Sequence, residues 1–299
     1  MLAVDGPPAH EVPIEQARAG HEAESEHLSG PGEPVADVRD LTVPSPQGEI
    51  PVRVYRPANA GDASPPPVVA YAHGGGWMVG SIESFDTVVR ALTNASGAIV
   101  ASIGYRLAPE HPFPAGLDDV RAAVRWLVAN ARELDGDPDR VAVAGDSAGG
   151  NLATVTARRL RDEGGPALRF QALVYPVCDS ALNTPSYREC GSGFGLSALS
   201  MKRYWEWYLD GADGRAPDAS PLQADDLSGL PPAFILTVRD DVLRDEGEAY
   251  ARALEAAGVP VTLRRYDGAV HGFFRWLAQA EISRRAVAEV AAALREGLA

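Results

Sequence analysis

A single serine, Ser147, stands in the run VAVAGDSAGGNLA, with Gly145 two residues before it and Gly149 two after. A serine hydroxyl is a weak nucleophile. It becomes effective when a base takes its proton and when donors meet the negative charge that attack on a carbonyl creates. G-x-S-x-G at the end of an apolar run predicts a tight strand-to-helix turn that lifts the hydroxyl above a sheet. The helix that follows would aim its N-terminus at the same point, which suits developing negative charge. Ser147 could instead serve as a plain helix N-cap. The spacing is not that of a G-x-G-x-x-G dinucleotide turn.

A second motif, YAHGGGWMVGS, follows an earlier apolar run. Consecutive glycines let backbone N–H groups approach a ligand closely. With the N–H of Ala148, just after the serine, this loop is the expected source of donors for a tetrahedral oxyanion. The base must be a histidine carried to the same place. His10, His21 and His27 lie in a polar N-terminal arm, His73 opens the glycine loop, and His111 sits in a Pro-rich loop. His271, in GAVHGF after the last predicted strand, is flanked by small residues and is the expected base. The orienting acid should end a strand between Ser147 and His271. FILTVRDDVLRDEG offers Asp240, Asp241 and Asp245. Asp241 is expected, because Asp240 points the other way on a continuing strand and Asp245 suits the first turn of the next helix. Glu110 and His111 in YRLAPEHPFPA, and Asp146 beside the serine, read as braces of the site.

The elements that must position these groups follow from periodicity. PVVAYA, AIVAS, RVAVAGD, FQALVYPV and AFILTV are short continuous apolar runs, the pattern of strands covered on both faces. Stretches with helical spacing lie between them, at 84–97, 116–136, 147–165 and 243–258, with a last one at 280–298. VRDLTVPSPQGEIPVRVYRP alternates and reads as a hairpin, and NAGDASPPP as a loop. The alternation predicts an α/β fold with a mostly parallel central sheet flanked by helices and a site at the carboxyl ends of the strands. The rhythm breaks for about fifty positions after residue 180, where a helix rich in large aromatics lies. Trp205 and Tyr208 on it, with Trp77, Phe194, Leu196 and Met201, are candidates to line a substrate pocket.

Bulk properties narrow the partners. The net charge of −14 argues against nucleic acid and against anionic membranes. Cys178 and Cys190 have no metal-ligand spacing and read as free thiols, so no metal is expected. The N-terminus has no basic segment followed by an apolar one, which suggests a cytoplasmic protein.

HGGGWMVGS, YRLAPEHPFPA, GDSAGGNLA, DVLRDEGEAYA and HGF together resemble the hormone-sensitive-lipase-like bacterial carboxylesterases (family IV, the GDSAG branch) of the α/β-hydrolase superfamily, from about residue 40 to the C-terminus. The resemblance implies Ser147 as nucleophile, Asp241 as acid and His271 as base. It implies Gly75, Gly76 and Ala148 as the oxyanion hole, with Gly74 holding the shape of the loop. It implies a helical cap built from an arm at 1–40 and an insert at 183–215, over a core at 41–182 and 216–299. It implies hydrolysis of short- to medium-chain acyl esters without a cofactor, and a possible homodimer. The family usually has Asp-Pro-Leu where this chain has Asp241-Val242-Leu243, which loosens the turn after the acid. The alternative is an amide or N-acetyl hydrolase using the same triad on a specialised metabolite. A non-catalytic binding module on this fold would lack His271, and nothing in the acidic composition favours a lipase working at an oil surface.

Overall fold

A computed structural model describes residues 11–58 and 64–299. The first ten residues of the arm, with His10, and positions 59–63 of the expected loop lie outside the described residues. Helix α1 (Ile14–Ser29) starts behind Pro13 and stops at Gly30, whose φ is 67°. Strands β1 (Asp37–Ser45) and β2 (Gly48–Arg56) form the expected antiparallel hairpin, with Asp37 opposite Arg56. Then come β3 (Val68–Ala72), α2 (Asp86–Ser96), β4 (Ile99–Ile103), α3 (Ala115–Asn130), β5 (Val141–Asp146), α4 (Ala148–Asp162) and β6 (Phe170–Val174). After the break come α5 (Pro185–Glu189), α6 (Ala198–Leu209), β7 (Ala233–Asp240), α7 (Arg244–Ala256), β8 (Val261–Val270) and α8 (Glu281–Gly297).

The eight strands form one sheet in the order β1-β2-β4-β3-β5-β6-β7-β8. It is parallel from β4 through β8, and β2 joins it antiparallel to β4. Every residue of β3, β4, β5 and β6 is buried, which is why these segments read as unbroken apolar runs. One core packs α3, α4 and α7 on one face, with Leu127, Leu152 and Leu254 inside it. The other packs α2 and α8, with Leu92 and Leu294. Buried apolar area of this kind is the main force holding the layers.

This order places the site. From β3 the chain crosses outward to β4, then returns past β3 to β5 on its other side. The carboxyl ends of β3 and β5, with Ala72 opposite Gly145, therefore sit side by side where the winding reverses. That is where open α/β sheets leave a crevice. One strand is shorter than its apolar run suggests: β6 stops at Val174 because Tyr175 takes a φ of 36° and turns the chain away. Among the described residues, no helix is long and apolar enough to cross a membrane.

Candidate active site

Ser147 joins β5 to α4 with φ 54° and ψ −120°, a conformation that costs a non-glycine residue about 1–3 kcal/mol. The turn is held from β6: the Ser147 N–H donates to the Val174 carbonyl at 2.8 Å, and the Val177 N–H donates to the Ser147 carbonyl at 3.2 Å. The hydroxyl does not cap its own helix. It lies 2.9 Å from Nε2 of His271, just past β8, and Nδ1 of that ring lies 2.7 Å from Oδ2 of Asp241, just past β7. A carboxylate can only accept, so Nδ1 carries the proton and Nε2 is left as an acceptor for the serine O–H. The other oxygen of Asp241 accepts the N–H of Leu243 at 3.0 Å, and the carboxylate is wholly buried. Thus three strand exits bring Ser147, Asp241 and His271 into one hydrogen-bonded row. The neighbouring acids face elsewhere. Asp240 pairs with Arg239, while Asp245 accepts the Ser186 N–H and pairs with Arg244.

The glycine loop leaves β3 toward Ser147. Gly75 has φ 120° and Gly76 φ 59°. A Cβ on Gly75 would come within 2.1 Å of the Val79 carbonyl oxygen, and one on Gly76 within 2.6 Å of the Tyr204 ring. No larger residue fits either position without moving the loop. The Gly75 carbonyl accepts the N–H groups of Met78 and Val79, closing the turn. Asp146, almost fully buried, ties the loop down. Its Oδ1 accepts both the Gly74 N–H and the Tyr71 hydroxyl at 2.8 Å. Burial pushes its carboxyl up to about 6, against the pull of those two donors. His73 is buried against Tyr105 with ring centroids 4.4 Å apart, and its Nδ1–H meets the Gly74 carbonyl at 2.8 Å. Burial lowers its pKa to about 4, so it is a neutral structural group.

The arm clasps this loop. Arg18 of α1 donates to the Met78 and Ala108 carbonyls and forks onto both oxygens of Glu110. Glu110 therefore braces the arm, as YRLAPEHPFPA suggested. Arg275, in the turn after His271, reaches the other end of α1 through Ser25 and Glu24.

The candidate pocket residues divide. Trp77, Trp205 and Tyr208 are buried against one another: Trp77 stacks on Tyr208 at 4.1 Å, nearly parallel, and tilts against Trp205 at 4.7 Å. Met201 is buried in the same core. Phe194 and Leu196 are half-buried and flank Gly195, whose Cβ position lies 4.0 Å from the His271 carbonyl. That segment passes beside the histidine. Tyr204, read from the sequence only as one aromatic of the α6 stretch, is the residue that covers Gly76; periodicity marks a helix but not how it is rotated against a loop. Tyr175, whose ring lies 4.5 Å from the His271 ring, escaped the sequence reading. The only hint of it was a Tyr-Pro pair at the end of an apolar run.

A serine elbow at the carboxyl edge of a mostly parallel sheet, with a histidine and an acid delivered by the last two strands, defines an α/β-hydrolase arrangement. A family described as alpha/beta hydrolase fold matches residues 69–275. The chain is 46% identical over 254 residues to carboxylesterase NlhH of Mycobacterium tuberculosis, covering 84% of this chain and 79% of that one. It is 39% identical to an ethyl acetate hydrolase of Pseudomonas putida, covering 90% and 85%. The structure matches EstE1, a thermostable carboxylesterase cloned from a metagenomic library, with TM-score 0.92 at 40% identity, covering 97% and 99%. The chain belongs to the α/β-hydrolase fold family, in its hormone-sensitive-lipase-like carboxylesterase branch.

Proposed function

We propose that this protein is a serine carboxylesterase that cleaves short- to medium-chain acyl esters through an acyl-enzyme. The carrying observation is the row in which Nε2 of His271 lies 2.9 Å from the Ser147 hydroxyl and Nδ1 lies 2.7 Å from Asp241. His271 takes the Ser147 proton as Oγ attacks the ester carbonyl. The N–H groups of Gly75, Gly76 and Ala148 receive the oxyanion. Collapse expels the alcohol, protonated by His271, and leaves the acyl group on Ser147. A water gives its proton to His271 and attacks the acyl carbon, and His271 returns that proton to Ser147 Oγ as the carboxylic acid leaves. Asp241 holds the ring in the tautomer both half-reactions need. Every proton shuttles through Nε2, so no cofactor is called for. The described part of the arm, residues 11–40, and the insert at 183–215 serve as the cap, with Phe194 and Leu196 beside the base and Tyr204 over Gly76. The name of the Pseudomonas putida relative, an ethyl acetate hydrolase, supports a small acyl group.

Initial rates on p-nitrophenyl esters from acetyl to dodecanoyl, with p-nitroacetanilide alongside and Ser147→Ala as the blank, test this reading. The expected result is a maximum at short chains that vanishes in the variant. Anilide cleavage equal to or faster than ester cleavage would replace it with the amide-hydrolase reading. Retained turnover in Ser147→Ala would remove the nucleophile assignment.

A further inference from the structure

Tyr175 combines three features that no fold requirement explains together. Its backbone sits at φ 36°, where glycine would be unstrained and a large side chain is disfavoured. It is 1% exposed, just past the end of β6. Its ring lies 4.5 Å from the His271 ring, tilted by 52°.

Its backbone surroundings sharpen the point. The residue before it, Val174, accepts the N–H of Ser147, and two residues later the Val177 N–H donates to the Ser147 carbonyl. Tyr175 is thus bracketed on both sides by hydrogen bonds to the backbone of the serine. Its own N–H donates to Leu236 of β7 at 2.6 Å, on the strand that carries Asp241. Its side chain then meets the imidazole. One residue is therefore keyed to the serine through flanking backbone, to the acid-bearing strand through its amide, and to the base through its ring. The hydroxyl neighbours the Phe274 backbone and makes no hydrogen bond to Ser147, Asp241 or His271. Strain retained at such a point marks function.

We propose that Tyr175 is a positioning residue whose ring backs the His271 imidazole and holds Nε2 on the line to the Ser147 hydroxyl. This rests on the acyl-transfer reading above. An imidazole held only by its Asp241 bond can still swing about that bond. A rigid ring packed against the imidazole, tilted to it by 52°, stops the swing. The ring, and not the hydroxyl, is what the role needs.

The test measures kcat, KM and thermal midpoint for Tyr175→Phe, Tyr175→Leu and Tyr175→Met, alone and in a His271→Ala background, with Ser147→Ala beside them. Tyr175→Phe is expected to keep kcat within about threefold, since the ring remains. Tyr175→Leu and Tyr175→Met are expected to lose about 10- to 100-fold in kcat, the usual cost of misplacing a reacting group, with KM held within about twofold. In the His271→Ala background the same substitutions should cost less than about twofold, because a residue acting through the imidazole has nothing left to position. Met keeps a long side chain and serves if Leu does not fold. The proposal fails if Leu and Met keep full kcat, if Phe is as poor as they are, or if their loss persists without His271. Turnover surviving in Ser147→Ala would instead sink the acyl-transfer reading itself, whatever the Tyr175 variants do.

Discussion

Asp146 and Gly74, 72 residues apart in the chain, are joined by a buried 2.8 Å hydrogen bond from the glycine N–H to the carboxylate. The residue just before the serine thereby anchors the loop that carries the proposed oxyanion donors. Asp146→Ala leaves two buried donors, the Gly74 N–H and the Tyr71 hydroxyl, without their acceptor. The expected cost is about 2–4 kcal/mol of stability, with kcat falling more than KM rises. Asp146→Asn keeps an acceptor and should lose much less of both. Urea unfolding and steady-state kinetics on the pair check this, and equal damage from both substitutions would show that the acceptor is not what matters.

Ser147 holds a left-handed backbone that glycine would adopt freely. Ser147→Gly should therefore be inactive yet more stable, by about 1 kcal/mol. Ser147→Ala should be as dead, losing on the order of 10⁴–10⁶ in kcat, without that gain. Thermal melts of the two variants side by side decide it. Equal midpoints would mean that the turn stores no strain.

Glu246, at the start of α7, is a buried carboxyl whose Oε1 accepts the Cys178 N–H at 2.7 Å. Burial first, and the nearby negative charges of Asp179 and Asp241 after it, push its pKa from 4.5 up to about 8. The native protein thus binds a proton across a range in which the unfolded chain has lost it. Stability from this group is complete below pH 4.5, declines as the pH rises, and is gone above about 8. Glu246→Gln keeps the acceptor and cannot ionise, so it should flatten that decline. The variant should gain a few kcal/mol over the parent at pH 9, on the order of 3–5 as an upper limit, and little at pH 4. Urea midpoints from pH 4 to 9 read this directly, and parallel curves for parent and variant would refute it.

Arg18 and Glu110 are partly exposed, at 30% and 48%, so their ion pair alone is worth little. Arg18 also serves the Met78 and Ala108 carbonyls, which Glu110 does not touch. Glu110→Gln should therefore cost less than about 1 kcal/mol, while Arg18→Ala costs more and loosens α1 over the glycine loop. Limited proteolysis within residues 14–29 should speed up in Arg18→Ala and not in Glu110→Gln. The reverse order would put the weight on the ion pair.

Local pattern carries a large part of this molecule. The buried strands, the helices between them and the hairpin at 37–56 follow from apolar periodicity, because each such element buries a face that its own spacing defines. The glycines at 74–76 and at 145 and 149 mark where backbone must turn or approach closely, a property of single residues. Order along the chain then puts a serine, an acid and a histidine at strand exits. Beyond the serine, acid and histidine, what joins remote segments was not legible. Arg18 and Glu110 are 92 residues apart, and their contact depends on how crossovers stack the strands and how each helix is rotated on the sheet. That rotation buries Trp205 and Tyr208 against Trp77 while it lays Tyr204 on Gly76, and a sudden turn after Val174 sets Tyr175 against His271. Spacing determines which side chains share a face of one element. Only close packing of several elements decides what that face touches.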